Sequence, residues 1–405
     1  MAGCLMPALG RKVAIVGTAA APVGRWAPKP GDDATGFEHD VLGPLVFAAL
    51  AEAGLSTSDV GTAAFTLPSP STRQLGFATF MASRLGLKCT GSVSEVVEMG
   101  ITGGLAFDQA CADVASGRAD VALALGIAYQ SNAPMQLVMD HSLRTVGDVD
   151  FQTPFGLTPI SWYAFDAARY MHETGVSRRE LAQVAVKSRR MAQGNPLAQF
   201  QANLTIDEVM AQRMVVEPLG LFEVPAVADG AICLVVTSQE AARDLGQPFV
   251  TVAGRGFYHE GFHQIGDRPH DMIGFPAARL AADAALANAG VSLGDVDLAE
   301  LYAPCTITEV LVSEAIGFCA RGHGAQDAVS GATSTGGRIP INTSGGCLSR
   351  GHPPALTALY GLLELREQLL QRSGARQIVG ARLAMHSCEL GNYNAALVHL
   401  LEGPQ

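Results

Sequence analysis

Three glycine-rich segments carry the residues best suited to chemistry in this 405-residue chain. The first is Glu98–Leu105, and the second is Asn342–Pro354, which contains His352. The third is Met385–Asn394, which contains Cys388. Imidazole and thiol groups can exchange protons or attack a carbonyl, so these segments predict acid/base or nucleophilic catalysis.

The composition excludes several other classes of protein. The formal net charge is −11, which opposes binding to nucleic acid, and no block of Lys and Arg indicates a membrane surface. No apolar run is long enough to span a membrane. The eight cysteines include no CxxC pair, which argues against a metal site and favours small buried side chains in a reducing compartment. We therefore expect a cytoplasmic enzyme with no metal and no covalently bound cofactor.

An internal repeat indicates how the chain positions these residues. Ala48–Val60 and Ala284–Val296 are identical at nine of thirteen positions, with an offset of 236 residues. Each copy is typical of an alanine-rich helix that ends at a glycine and is followed by a turn and a strand. The predicted strands are Gly61–Leu67 and Asp297–Tyr302, so a duplicated α/β unit is expected.

Further apolar segments repeat around these two copies. They predict buried strands at Arg11–Gly17, Ala119–Gly126, Ala231–Thr237, Pro248–Gly254 and Ala395–Leu400. Helices are expected after the first two glycine-rich segments, ending near Ser116 and Leu370. Uniformly apolar strands alternating with helices favour a mainly parallel sheet covered on both faces. We place the first half at residues 1–245, with an insertion at about 129–228, and the second half at residues 246–405.

The second glycine-rich segment identifies a family resemblance. Gly345-Gly346 and Gly351-His352-Pro353 resemble the Asn-x-x-Gly-Gly…Gly-His-Pro signature of thiolases, and Asp229-Gly230-Ala231 resembles their Asp-Gly-Ala motif. The resemblance spans essentially the whole chain and is closest to the sterol-carrier-type thiolases and their lipid-transfer relatives. It implies the thiolase fold: two duplicated βαβαβ-type halves in five α-β-α-β-α layers, with a loop domain inserted in the first half.

The resemblance also implies that the thiolase nucleophile is missing. Thr102-Gly103-Gly104 aligns with the small-Gly-Gly run of the family, which places Gly100 at the position of the nucleophilic cysteine. The nearest cysteine, Cys111, lies well inside the predicted helix. Thiolysis proceeds through a covalent acyl-enzyme, so Gly100 removes that reaction.

Four other residues carry over as candidates. His352 matches the histidine of the Gly-His-Pro motif, which activates the nucleophile and binds the thioester oxygen. Cys388 falls at the second, acid/base cysteine, or is a buried thiol without a role, and Gly391 is expected to supply oxyanion-binding backbone. Tyr302 replaces the active-site residue of the Asn-Glu-x-Phe or His-Asp-Cys-Phe motif, as in steroid side-chain retro-aldolases, or it is a core tyrosine. As an acid/base, Tyr302 requires a lowered pKa or action through His352.

These residues favour a thiolase-fold C–C lyase. The predicted reaction is retro-aldol cleavage of a β-hydroxyacyl-CoA with a bulky steroid-like or aromatic acyl group, in which coenzyme A is part of the substrate. One alternative is an acyltransferase or thiolase that uses Cys388 or Cys347. The other is a non-catalytic lipid-carrier or assembly subunit. The resemblance further implies a homodimer and a small partner protein with a zinc ribbon and an OB-fold.

Overall fold

The computed structural model describes residues 10–26, 34–66, 72, 74–144, 149–151, 153–260, 271, 273–389 and 394–404. Gly391, the predicted oxyanion-binding position, lies outside the described residues. Each predicted strand has a counterpart among the strands described below, and the helices expected after the first two glycine-rich segments are present.

Nine strands join in one hydrogen-bonded sheet, and two more form a small hairpin. The sheet strands are β1 Val13–Ala20, β2 Thr62–Thr66, β3 Ser92–Val96, β4 Val121–Ala128, β7 Gly230–Ser238, β8 Val250–His259, β9 Leu298–Leu301, β10 Leu383–Glu389 and β11 Ala395–Glu402. The hairpin consists of β5 Met214–Val216 and β6 Leu219–Gly220. The order in the sheet is β3-β2-β4-β7-β1-β8-β11-β10-β9, so the two halves meet where β1 pairs with β8.

The sheet is mixed, and the prediction of a mainly parallel sheet is wrong. β2 runs parallel to β3 and β4, and β9 runs parallel to β10. The pairs β4–β7, β7–β1, β1–β8, β8–β11 and β11–β10 are antiparallel. An apolar run shows only that both faces of a strand are buried. Here helices cover both faces, so the antiparallel strands are as apolar as the parallel ones.

The helices build the layers on either side of the sheet. Their bounds are α1 Ala34–Glu52, α2 Phe77–Arg84, α3 Thr102–Ala115, α4 Met135–Leu143, α5 Pro159–Thr174, α6 Arg178–Ala192, α7 Ile206–Ala211, α8 Gln239–Leu245, α9 Pro276–Ala289, α10 Thr306–Ile316, α11 Gly324–Ser330, α12 Gly346–Ser349 and α13 Thr357–Leu369. One core joins α1 and α2 to the first half, and another joins α9 and α10 to the second half. A third core, around α3 and α13, lies between the two halves, which gives the expected five layers.

The repeat in the sequence is also a repeat of hydrogen bonds. In Ser56–Asp59 and in Ser292–Asp295, the backbone N–H of the serine donates to the aspartate carboxylate at 2.8 Å. The glycines that follow the two helices, Gly54 and Gly290, have φ values of +72° and +71°. The identical positions therefore specify one helix-to-strand turn twice.

The segment between β4 and β7 differs from the rest of the first half. It contains α4 to α7 and the β5–β6 hairpin, where the sequence predicts an insertion. Asp229, at the end of this segment, accepts backbone N–H groups from Trp26 at 2.6 Å and from Ser131 at 2.8 Å. These bonds fix the segment beside the sheet. Within the described residues, no helix is long and apolar enough to cross a membrane.

Candidate active site

A cavity of about 680 Å³ opens between the α4–α7 segment, the turn that precedes α3, and the loops that follow β9 and α12. Gly100, Tyr302 and His352 all line it, so the fold brings together three residues that lie far apart in sequence. Apolar side chains form most of the remaining wall: Met135, Val138, Met139, Ile160, Val215, Val216, Leu221, Val224 and Val227. The cavity suits a bulky apolar acyl group.

Tyr302 occupies the space that a side chain on residue 100 would need. Gly100 lies in a short 3-10 turn, Met99–Ile101, directly before α3. A Cβ atom on residue 100 would lie 2.6 Å from Oη and 2.7 Å from Cζ of Tyr302, and 3.0 Å from the carbonyl oxygen of Glu389. Real Cβ atoms essentially never lie within 3.0 Å of another heavy atom, as this one would of Tyr302. A cysteine therefore fits at position 100 only if Tyr302 moves.

The hydrogen bonds of His352 define its tautomer. The Thr357 hydroxyl donates to the carbonyl of Pro353 at 3.0 Å. Its oxygen therefore accepts the N–H of His352 Nδ1, at 2.8 Å. The lone pair of His352 Nε2 then faces Tyr302 Oη at 3.3 Å, and the phenol donates to the imidazole.

Burial determines the charge state of this pair. Desolvation, followed by the nearby Arg350, lowers the pKa of His352 to about 3, so the imidazole is neutral at physiological pH. Burial, and next the neighbouring Tyr163, raises the pKa of Tyr302 well above its usual value. Of the two sequence-based options for Tyr302, a lowered pKa is wrong, and the geometry favours action through His352.

A buried network positions the loop that carries Tyr302. The backbone N–H of Tyr302 donates to the carbonyl of Ser387 at 2.9 Å. One residue earlier, the N–H of Leu301 donates to Asn342 Oδ1 at 2.8 Å. Asn342 Nδ2 in turn donates to Glu309 Oε2 at 2.9 Å, and Glu309 contacts the ammonium group of Lys187 on α6. The network thus ties the end of β9 to α6.

The glycines of the signature motif are required by close packing around His352. Gly345 has a φ of +93°, and a Cβ there would lie 2.6 Å from the side chain of Ala192. Gly351 has a φ of +110°, and its Cβ would lie 2.4 Å from the side chain of Val23. Both positions combine a left-handed backbone with no room for a side chain. The motif therefore requires glycine at positions 345 and 351, because only glycine allows the backbone to pass this closely beside His352.

The two candidate cysteines do not line the cavity. Cys388 is completely buried, and its thiol donates to the carbonyl of Leu397 at 3.6 Å. Burial, followed by Glu389, raises its pKa well above the usual value. Burial likewise raises the pKa of Cys347 to about 12. Both thiols are protonated at neutral pH, so the site as described does not provide a thiolate nucleophile.

Two site residues were missed by the sequence reasoning. Tyr163, on α5, is 3% exposed and lines the cavity beside Tyr302. Glu389, at the end of β10, is 1% exposed, and its Oε2 has no hydrogen-bond partner within the part of the chain that the structure describes. Tyr163 lies inside the insertion without a motif around it, so the sequence offered no signal. Glu389 directly follows Cys388, but nothing local shows that its carboxyl group is buried.

The described residues contain no cluster of His, Cys, Asp and Glu side chains suited to a metal ion. The site contains a phenol–imidazole pair, Tyr302 and His352, beside Gly100 in a largely apolar cavity. Such a pair can move a proton between a substrate hydroxyl and a substrate carbon.

Comparison with known proteins defines the family. The model of the thiolase N-terminal domain matches residues 13–240, and the model of the thiolase C-terminal domain-like family matches residues 260–403. The chain belongs to the thiolase family.

Individual relatives include both lyases and acyltransferases. The chain is 33% identical to the steroid side-chain-cleaving aldolase of Thermomonospora curvata, over 76% of this chain and 80% of that protein. It is 33% identical to an acetyl-CoA acetyltransferase of Methanothermobacter thermautotrophicus, over 74% of this chain and 77% of that protein. The solved structure of the Ltp2-ChsH2(DUF35) aldolase superposes with a TM-score of 0.82 at 28% identity, covering 98% of both chains.

Proposed function

We propose that this protein cleaves a β-hydroxyacyl-CoA by a retro-aldol reaction without a covalent acyl-enzyme. The observation that carries the proposal is the position of Tyr302. Its phenol fills the space that a nucleophilic side chain on residue 100 would need, and it donates to His352 Nε2. The similarity to a steroid side-chain-cleaving aldolase supports the same reaction.

The first step removes the proton of the substrate β-hydroxyl. Tyr302 Oη accepts this proton while its own proton passes to His352 Nε2. The Cα–Cβ bond breaks, the β-carbon becomes a ketone or aldehyde, and the bonding electrons form an enolate on the thioester. Because His352 is neutral before the step, its Nε2 lone pair is available.

The second step returns the proton. Nε2 of the imidazolium gives it back to Tyr302, and the phenol delivers it to the α-carbon of the enolate. The proton that leaves the hydroxyl thus balances the proton gained by the acyl-CoA product. The pair returns to its initial state, with the Nδ1–Thr357 bond holding the same tautomer throughout.

The wall of the cavity indicates the acyl group. Its apolar side chains come mainly from the α4–α7 segment, whereas the reacting groups Tyr302 and His352 come from the loops after β9 and α12. We propose a bulky acyl group, steroid-like or aromatic, that packs against these side chains while the thioester reaches Gly100. Burial of apolar surface contributes roughly 25 cal/mol per Å², so a polycyclic acyl group gains more than a short one.

The decisive assay compares two substrates. A β-hydroxyacyl-CoA with a bulky acyl group should release a carbonyl compound and a shorter acyl-CoA without free CoA. Tyr302→Phe keeps the ring above Gly100 and removes the hydroxyl, so kcat should fall by about 10²- to 10⁴-fold. Cleavage of the β-ketoacyl-CoA that requires free CoA, with the hydroxy ester untouched, would contradict the proposal.

Assembly and location are extensions of the same proposal. The similar aldolase structure is a complex with a DUF35 protein. We propose that this chain also works with a small partner protein that has a zinc ribbon and an OB-fold. The assay should therefore test both the chain alone and the chain co-purified with its partner protein. The homodimer, the cytoplasmic location and the boundary between residues 245 and 246 stay predictions.

A further inference from the structure

The charge of Arg350 opposes one step of the proposed reaction. His352 must become an imidazolium ion when it takes the proton of Tyr302, and a nearby cation raises the free energy of that ion. Arg350 lies two residues before His352, and its Nη2 donates to the carbonyl of Thr357 at 3.4 Å. The hydroxyl of the same threonine accepts the Nδ1–H of His352 at 2.8 Å. Guanidinium and imidazole are thus bound to two oxygens of one residue.

Arg350 is a buried cation with few partners. It is 2% exposed, and its Nε and Nη1 have no hydrogen-bond partner within the described residues. The ring of Tyr360 lies 5.5 Å from Cζ but carries no net charge. Among the described residues, Arg350 forms an ion pair only with Glu300, whose Oε2 lies 3.9 Å from Nη1. Compensation of the guanidinium charge beside His352 therefore depends on the Glu300 carboxylate.

Hydrogen bonds fix both oxygens of Glu300. This residue lies on β9, two residues before Tyr302, and is 2% exposed. Its Oε1 accepts the backbone N–H of Ser344 at 2.8 Å, and its Oε2 accepts the Ser344 hydroxyl at 2.7 Å. These bonds join the strand that leads to Tyr302 to the loop that leads into α12 and His352. The carboxylate therefore keeps a fixed position relative to Arg350.

We propose that Glu300 is a positioning residue that acts on His352 through Arg350. Its ionised carboxylate offsets the guanidinium charge, so the imidazole can accept the proton of Tyr302 while the substrate hydroxyl is deprotonated. The inference rests on the proposed retro-aldol function. Glu300 is not among the described residues that line the cavity, and no bond to it forms or breaks in the reaction.

The charge of Glu300 changes near neutral pH. Burial, followed by the carboxyl group of Glu364, raises its pKa to about 7, and Arg350 opposes this rise. Below that pH, Glu300 is protonated and the Arg350 charge is uncompensated, so the imidazolium is harder to form. We therefore expect kcat to rise with pH through about 7. Tyr302 and His352 do not titrate in this range, because burial raises the pKa of Tyr302 well above its usual value and lowers that of His352 to about 3.

The charged and titratable groups around Glu300 come from several elements: Cys347 on α12, Arg350 after it, Glu364 on α13, Arg376 in the turn Gly374–Arg376 and His386 on β10. Burial raises the pKa of Cys347 to about 12 and lowers that of His386 well below its usual value, so both are neutral. The Thr343 hydroxyl lies 3.1 Å from Glu364 Oε1 and 3.4 Å from Glu300 Oε1. Because the two carboxyl groups repel one another, removal of Glu364 should favour ionised Glu300.

The test is the pH profile of Glu300→Gln, with Glu314→Gln as the matched control. Glu314, on α10, likewise accepts two backbone N–H groups, at 2.7 and 2.8 Å, and a hydroxyl, at 2.6 Å. None of these contacts involves Arg350 or His352. Between pH 5.5 and pH 8.5, kcat of wild type and of Glu314→Gln should rise by about 10-fold, the effect of one pKa unit, with little change in KM. Glu300→Gln should keep the low kcat at both pH values.

Glu364→Gln provides a second test that does not require Glu300→Gln to fold. It removes the repulsion between the two carboxyl groups, so the midpoint of the kcat profile should move below pH 7. The kcat reached at pH 8.5 should stay at the wild-type value. An unchanged midpoint in Glu364→Gln, or a pH-dependent rise that persists in Glu300→Gln, would overturn the role of Glu300. A rise that Glu389→Gln removes and Glu300→Gln retains would overturn it as well.

A readout without substrate separates this inference from the proposed function. In protein labelled with ¹⁵N-histidine, the imidazole resonance of His352 is assigned by its loss in His352→Asn. Its chemical shift should change with pH through about 7 in wild type, and not in Glu300→Gln. The same change in both proteins would overturn the link between Glu300 and His352, whatever the activity. A wild-type enzyme that cleaves no β-hydroxyacyl-CoA would contradict the function, and the resonance would still decide whether Glu300 acts on His352.

Discussion

At the scale of single residues, the pairing of Gly100 with Tyr302 separates this site from that of a thiolase. The phenol of Tyr302 occupies the space that a side chain on residue 100 would need. A cysteine at position 100 therefore conflicts with Tyr302, whereas a smaller side chain at position 302 relieves that conflict.

Gly100→Cys should therefore abolish the lyase reaction without restoring acyl transfer, because the new side chain displaces Tyr302. The double variant Gly100→Cys/Tyr302→Asn has room for the thiol beside His352. We expect intact-mass analysis after incubation with an acyl-CoA to show an acyl adduct on the double variant only. An equal adduct on the single variant would mean that Tyr302 moves away at little cost.

Glu389 is a second case in which burial determines the chemistry of a residue. Burial raises its pKa to about 8, and the hydrogen bond from Ser387 only partly opposes this. A carboxyl group with a raised folded-state pKa contributes its full stability below the unfolded value of 4.5 and loses it as pH rises toward 8. The charge of Glu389 is therefore a cost to the folded protein at alkaline pH.

Glu389→Gln removes that pH dependence. As the pH rises from 5 to 8, wild type should lose stability and the variant should not. The unfolding free energy of the variant minus that of wild type should therefore increase by on the order of 2 kcal/mol. Urea unfolding at the two pH values measures this. Glu240→Gln, on the exposed face of α8, is the control and should show no such shift. If the difference in unfolding free energy between Glu389→Gln and wild type is the same at pH 5 and pH 8, the carboxyl group of Glu389 is solvated.

At the scale of elements, the end of β9 depends on a helix from the α4–α7 segment. Lys187 on α6 is buried against Glu309 on α10, and it also donates to the carbonyl of Ile341 at 3.2 Å. Glu309 holds Asn342, and Asn342 holds the strand residue before Tyr302. The α4–α7 segment therefore both lines the cavity, through α4 and α5, and supports the loop that carries Tyr302, through α6.

Lys187→Met should destabilise the protein by about 3–5 kcal/mol, because it leaves the Glu309 carboxylate buried without its cation. The double variant Lys187→Met/Glu309→Gln removes that charge and keeps an oxygen for Asn342 Nδ2, so it should recover part of the loss. Urea unfolding of the three proteins is the measurement. Equal stability of the single and double variants would mean that the ion pair is not the source of the cost.

At the scale of the whole molecule, the duplication places two related halves around a shared middle layer. α3, which follows Gly100, and α13, which follows His352, pack together there. The starts of both helices therefore reach the same cavity. Arg255 on β8 and Asp108 on α3 pair across the two halves at 2.6 Å, which adds a polar link to the apolar core.

The sequence by itself determined the features that depend on local pattern. The repeat, the strands, the glycine turns and the position of His352 all follow from side chains within a few residues of one another. The predictions of the repeat, the strands and the turns succeeded because a helix end or a buried strand requires particular residue types at fixed spacing. The motif also places Gly100 at the nucleophile position, and that assignment stays a prediction.

Only the tertiary structure decided strand direction, charge state and the composition of the cavity. The sheet is mixed because burial on both faces does not encode direction. Tyr163 on α5 lines the same cavity as Tyr302, and β10, which ends in Glu389, pairs with β9. Both segments lie far from β9 in the sequence, so no local pattern indicates either contact. The pKa values of Tyr302 and His352 follow from desolvation, which depends on every element packed around them.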